Sequence, residues 1–216
     1  GLPEGFEFTG YVLPVKFSGE EFNLPITTVN PEAPEKEQIS IAYFNPLRPD
    51  LAQAAAADMA ELGWGMVKNE PDRPVLMVVP PTEKSLELSL QTVRNLGEKG
   101  VKITPFKFSG GIFQPAGDKR QVLVQLDKDQ PSIAISPDGQ TGIFRVTEFQ
   151  GQEIIGVCYQ PVTGKNKFMY LTGRQIADFS EFIHNGGRMI LSEDVVSTEA
   201  TIRAMKRLFT NFCGAE

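Results

Sequence analysis

Histidine is almost missing from these 216 residues: His184 stands alone. Triads built on histidine and multi-histidine metal centres need further polarised partners, so neither chemistry is expected. Cysteine occurs twice, as Cys158 and Cys213, far below the density of a disulfide-stapled secreted domain. Two free thiols in a reducing, cytoplasmic setting are expected, while a chain opening on Gly1 would show no trace of a removed signal peptide. No apolar run approaches the ~18–20 residues of a membrane-spanning helix, and the longest, Pro74 to Pro81, has the length of a strand. No membrane partner is expected. Gly-x-x-x-x-Gly-Lys-Ser/Thr, Gly-x-Gly-x-x-Gly and Gly-x-Ser-x-Gly are all absent, which removes phosphate-loop, dinucleotide and serine-hydrolase readings and leaves no cofactor implied.

With 41% hydrophobic and 22% charged residues, the composition is that of a folded globular chain. The net charge of −6 gives no global attraction to nucleic acid or anionic lipid. The acid excess is uneven. Residues 1–107 carry 15 acidic and 10 basic side chains, residues 108–216 carry 12 and 11, and Gln160 to Arg174 holds Lys165, Lys167 and Arg174 with no acid. Any anion-facing surface is expected there.

The pattern along the chain predicts an α+β protein of two units. Residues 1–38 read as proline-interrupted, edge-type strands followed by a Pro- and Glu-rich linker from Asn30 to Gln38. Residues 39–108 read as strand (Ile39–Phe44), helix (Leu51, Ala55, Met59 and Leu62 at helical spacing, Gly63 as the stop), and two strands (Trp64–Lys68, Arg73–Val79). A helix capped by Thr82, with Leu86, Leu90 and Val93 on one face, and a closing strand (Val101–Phe108) complete this stretch. That order, β-α-β-β-α-β, is the split βαβ or ferredoxin-like arrangement, with two helices on a four-stranded antiparallel sheet. Ser109 to Gly117 is a glycine-rich break. Residues 118–216 then read as an antiparallel meander of Gln121–Leu126, Ser132–Ile135, Gly142–Phe149, Glu153–Tyr159 and Lys167–Leu171, followed by two C-terminal helices. Thr172 and Gln175 form a capping box ahead of Ile176, Phe179, Phe182 and Ile183, with Gly186-Gly187 as the stop. The last helix, about 198–212, places Ile202, Met205, Leu208, Phe209 and Phe212 on one side.

Few constellations carry chemistry. His184 falls in a last helical turn, where a cationic imidazole suits the free carbonyls. Asp127 and Asp129 follow an apolar strand and present either a solvated turn or a two-carboxylate Mg²⁺ site, the one nameable form of a phosphoryl-transfer enzyme. Cys158, flanked by Val157 and Tyr159, reads as a small buried hydrophobe.

The feature with a binding mechanism is the mixture of rings and cations in the meander: Phe144, Arg145, Tyr159, Lys165, Lys167, Phe168, Tyr170 and Arg174, with Phe149 between them. Rings that stack on bases beside cations that neutralise phosphates hold single-stranded DNA or RNA. The same rings also suit a core, because Phe168 and Tyr170 alternate with Met169 and Leu171, so that both faces of this strand are apolar. A non-enzymatic module binding single-stranded nucleic acid is therefore the leading functional expectation. A structural component that binds a protein partner or forms a homo-oligomer is the alternative. In element order alone, strands and then an amphipathic helix over residues 132–187, the chain resembles the single-stranded DNA-binding unit of Whirly-type proteins. No signature motif is matched, and the resemblance assigns no residue.

Overall fold

The computed structural model describes residues 2, 5–161, 164–193 and 199–216. It begins with the hairpin Phe6–Phe17 (β1) and Glu20–Val29 (β2), to which Ile39–Ala42 (β3) adds a third antiparallel strand. Ser18 and Gly19, with φ of 52° and 82°, form the two-residue turn whose twist matches the hairpin. Alternation from the closing pair Phe17/Glu20 leaves Pro14 opposite Asn23 at a non-hydrogen-bonded position, so its missing N–H falls on the open edge of β1. The edge character expected from the prolines holds for β1 and not for β2, which carries Pro25 yet lies between β1 and β3.

Pro49–Val67 (α1), Val75–Val79 (β4), Glu83–Glu98 (α2) and Ile103–Lys107 (β5) follow. The protein is mixed α+β, but the order expected for residues 39–108 is not what forms. Trp64 to Val67 continues α1 instead of opening a strand, β3 belongs to the hairpin sheet, and β4 pairs with β5 in parallel across α2. Gly63 explains part of the difference. A Cβ there would meet Leu96 Cδ1 at 3.1 Å, so this glycine lets α1 and α2 approach each other and is not a helix stop. The buried stripe of α2 is Ser85, Leu88, Ser89, Thr92 and Leu96, and Leu90, expected inside, faces water, as does Leu62 of α1. Small hydroxyl side chains seat this helix on its neighbours, and helical spacing of leucines alone gives the wrong face.

The glycine-rich break supplies an edge strand. Ser109–Ile112 (β6) follows β5 almost directly, and a Cβ on Gly110 would lie 2.2 Å from the Phe168 carbonyl oxygen, so only glycine admits this pairing. Gln114–Pro115 (β7), Val122–Val124 (β8) and Ile133–Ile135 (β9) form a small sheet of their own, separate from the meander in which β8 and β9 were expected. Ile143–Phe149 (β10), Gln152–Tyr159 (β11) and Lys167–Thr172 (β12) are the antiparallel meander, extended by β6 to the order β10-β11-β12-β6.

Gly173–His184 (α3) starts with the predicted capping box and stops where Gly186 and Gly187 donate to the Ile183 and Phe182 carbonyls. Arg188–Leu191 (β13), a run of four residues without alternation directly after Gly186-Gly187, returns to pair in parallel with β4, giving the sheet order β13-β4-β5. Ala200–Phe212 (α4) ends the fold close to the predicted span.

The largest core cluster lies around α3 and α4, between the parallel sheet and the meander. Leu76 and Val78 of β4 reach it from one side, Ile155, Val157, Met169 and Leu171 from the other, with Met205, Leu208 and Phe209 of α4 in the middle. The rings of Phe106, Phe179, Phe209 and Phe108 form a continuous chain of contacts through it, with centroids 4.7 to 5.5 Å apart. Residues before and after the glycine segment thus share one core. The alternate residues Val75 and Met77 face α1 and α2, while Phe168 and Tyr170 face the small sheet. Among the described residues, no helix is long and apolar enough to cross a membrane.

Candidate functional site

Helices cover one face of the meander and the small sheet covers the other, and this decides where the expected binding residues stand. Phe144, Phe168 and Tyr170 are buried together with Val124, Leu126 and Ile135. Phe168 stacks on Tyr170 with centroids 6.3 Å apart, and the Tyr170 hydroxyl donates to the Leu126 carbonyl at 2.9 Å. No base can reach these rings, so the expected stacking platform is corrected to a core. Folding of β8 and β9 over the sheet is the physical reason, and it meets the demand for cover on both faces that the alternation of Phe168 and Tyr170 with Met169 and Leu171 already set.

The cations separate as well. Arg145 on β10 pairs with Glu153 at 3.0 Å, and Arg174 in the first turn of α3 lies 4.0 Å from Asp178. Both are exposed pairs on different elements, each of small energetic weight. Tyr159 and Lys167 remain close together at one end of the sheet. Lys167 lies directly opposite Tyr159 in the β11–β12 ladder, so both side chains are on the face that α4 covers. Lys165 stands two residues before β12.

At this end α4 contributes residues missed in the sequence. Arg203 and Arg207, four residues apart and hence on one helix face, line a cavity of about 230 Å³ with Ala204 of α4 and Val157, Cys158 and Tyr159 of β11. Their signal was legible: Ala200–Phe212 holds Arg203, Lys206 and Arg207 with no acid, opposite a strongly apolar face.

Both arginines are anchored. Arg203 pairs with Glu199 at 3.0 Å, and Arg207 Nη1 donates to the Thr141 carbonyl at 2.7 Å. Burial, with help from nearby Glu193, holds the Tyr159 phenol above its ordinary value, and its hydroxyl has no hydrogen-bond partner among the described residues. Burial also pushes the Cys158 thiol up to about 12, so it stays protonated and unreactive near neutral pH.

Other chemistry-bearing groups satisfy one another. Asp127 accepts from the Asp129 backbone and from Gln150 in a turn, and no group of three or more His, Cys, Asp or Glu among the described residues could hold a metal ion. At the carboxyl ends of the parallel strands, where α/β proteins often bind ligands, Ser89 and Ser192 donate and accept between themselves at 3.2 Å, and Thr82 caps α2. His184 ends α3 and is exposed. The chain matches no known protein family, no curated protein and no solved structure.

Proposed function

We propose that the protein is a non-enzymatic module for single-stranded nucleic acid, with the contact surface at the end of the meander and not across its face. One observation carries this reading. Cations from β12 (Lys167) and from α4 (Arg203, Arg207) surround the half-buried Tyr159. Local cations beside a partly exposed ring offer phosphate neutralisation and a single ring contact, the minimum that single-strand binding uses. An acidic chain with a local basic patch confines the strand to that patch.

Fluorescence anisotropy with labelled oligo-dT and oligo-rU at low and high salt tests this reading. Affinity should fall with salt at a log–log slope of about 0.7 per neutralised phosphate. Replacing both Lys167 and Arg203 by alanine should weaken binding and flatten that slope. Absence of salt-sensitive binding at tens of micromolar protein removes the reading.

A protein-interaction role has separate support in β1, where Phe8, Tyr11, Val12 and Leu13 are exposed in one strand. Its free edge is blunted by Pro14 and by a bulge that sets Thr9, Gly10 and Tyr11 against Ile26 alone, so a partner would meet side chains and not the edge backbone. Sedimentation velocity across a hundredfold concentration range tests self-association; a concentration-independent monomer excludes a homo-oligomer.

A further inference from the structure

We infer that the cavity between β11 and α4 is a phosphate-monoester pocket, which on a nucleic acid receives a terminal phosphate and not an internal one. For the oligonucleotide this rests on the single-strand reading above; for the phosphate group it rests on the cavity alone.

Two properties of the lining point the same way. Its polar side chains are donors: guanidinium groups have no acceptor, and the Tyr159 hydroxyl stays protonated with its hydrogen uncommitted among the described residues. Each arginine is fixed by one part of its fork and keeps other N–H groups. Arg203 uses Nε and Nη2 on Glu199, leaving Nη1, and Arg207 uses Nη1 on Thr141, leaving Nε and Nη2. Such pre-positioned forks suit an oxyanion with several oxygens.

Size and shape narrow the ligand further. About 230 Å³ falls below the ~300–1,000 Å³ that drug-sized ligands occupy. A phosphate with part of its sugar is in scale, and a dinucleotide is not. Val157 and Ala204, 0% and 2% exposed, belong to the central core and close the inner end. Arg203 is shared with Glu199, so Arg207 supplies the uncompensated charge of the lining.

The test compares oligo-dT of one length bearing a 5′-phosphate, a 3′-phosphate or hydroxyl ends, by anisotropy on the full chain. Thermal shift with inorganic phosphate, against chloride at equal ionic strength, forms a separate arm. A phosphorylated end should bind about tenfold more tightly, as expected for added charge-assisted hydrogen bonds. The advantage should vanish in Arg203→Gln and shrink in Tyr159→Phe, which keeps the packed ring; thermal melting of each variant checks that it folds. Equal binding of all three oligonucleotides overturns the pocket and leaves the single-strand reading standing. Stabilisation by inorganic phosphate that is lost in Arg203→Gln, with no oligonucleotide bound, overturns the single-strand reading and leaves the pocket. No response in either arm overturns both.

Discussion

Phe168-Met169-Tyr170-Leu171 of β12 and Tyr11-Val12-Leu13 of β1 are both unbroken aromatic and aliphatic runs in antiparallel strands. The first is at most 9% exposed, and the second is 44% to 74% exposed. The residues are of the same kind; the difference lies in the layers around them. β12 is an inner strand with α3 and α4 on one face and the small sheet on the other. β1 is an edge strand whose α1-facing residues Val15 and Phe17 pack on Leu51 and Ala54, while the bulged stretch before them has no such cover. An apolar run is a demand for burial that only the rest of the fold can meet.

The largest effect that tests this contrast is truncation at the centre of the shared core. Phe209→Ala removes a ring 2% exposed that touches Phe108 and Phe179, and should lower the unfolding free energy by ~3–5 kcal/mol in urea titration. Tyr11→Ser, at 74% exposure, should stay within ~0.5 kcal/mol. A cost at Tyr11 of several times that would break the comparison, because it would mean that the hairpin is covered in solution by another molecule.

Local signals were legible where one segment decides its own structure. The Thr172–Gln175 box, the glycine stop of α3, the apolar stripe of α4 and the strands of the meander follow from residues within a few positions of one another. What failed depended on partners distant in the chain. Gly63 resembles a helix stop until Leu96 of another helix is placed beside it, and Gly110 resembles a linker until the Phe168 backbone lies against it. Arg188–Leu191 is a strand only because β4 is there to receive it. For the candidate site, residue types were legible and their surroundings were not. Lys165, Lys167 and Tyr159 were found, Phe144, Phe168 and Tyr170 proved to be core, and Arg203 and Arg207 came from a helix read only for its apolar side.

Glycine substitutions sharpen the comparison at the next scale. A Cβ on Gly156 would fall 2.2 Å from the Phe144 ring and 2.7 Å from the Met169 carbonyl oxygen, so Gly156→Ala must displace the ring or part β11 from β12. An overpacking cost of ~1–3 kcal/mol is expected. Gly10→Ala in β1 meets nothing within 4 Å and has only its φ of 84° to oppose it, worth ~1–2 kcal/mol. Hydrogen exchange separates the two variants: loss of protection should spread through β11 and β12 for the first, and stay in the β1–β2 hairpin for the second.

The thiols give a smaller effect with a definite sign. Burial raises Cys158 to about 12 and Cys213 to about 11, while unfolded thiols titrate near ~8.5. The folded chain therefore holds more protons between those values, and this stabilisation is complete below the unfolded value and declines as pH rises through the folded ones. Native protein at pH 8 should react slowly with a thiol reagent, and both cysteines should react at once in denaturant. Fast native labelling of Cys158 would show that the small sheet does not seal its side of the meander.

Asp138 ties the fold to the site. Its carboxylate accepts the Gln140 and Thr141 backbone N–H groups at 2.7 and 3.2 Å, which holds it below the usual carboxylate range. A depressed carboxyl stabilises the fold above the unfolded value, and the contribution is lost as pH falls through the folded one. The turn it closes carries the Thr141 carbonyl that anchors Arg207. Asp138→Ala should thus change stability little, because the group is exposed, yet release one cavity-lining arginine. Any phosphate-dependent thermal shift should weaken in this variant, and the stability difference from the parent chain should narrow below about pH 4, where an ordinary carboxylate is half protonated. An unaltered phosphate response would show that Arg207 keeps its position without the turn, and the anchoring role of Thr141 would then fall.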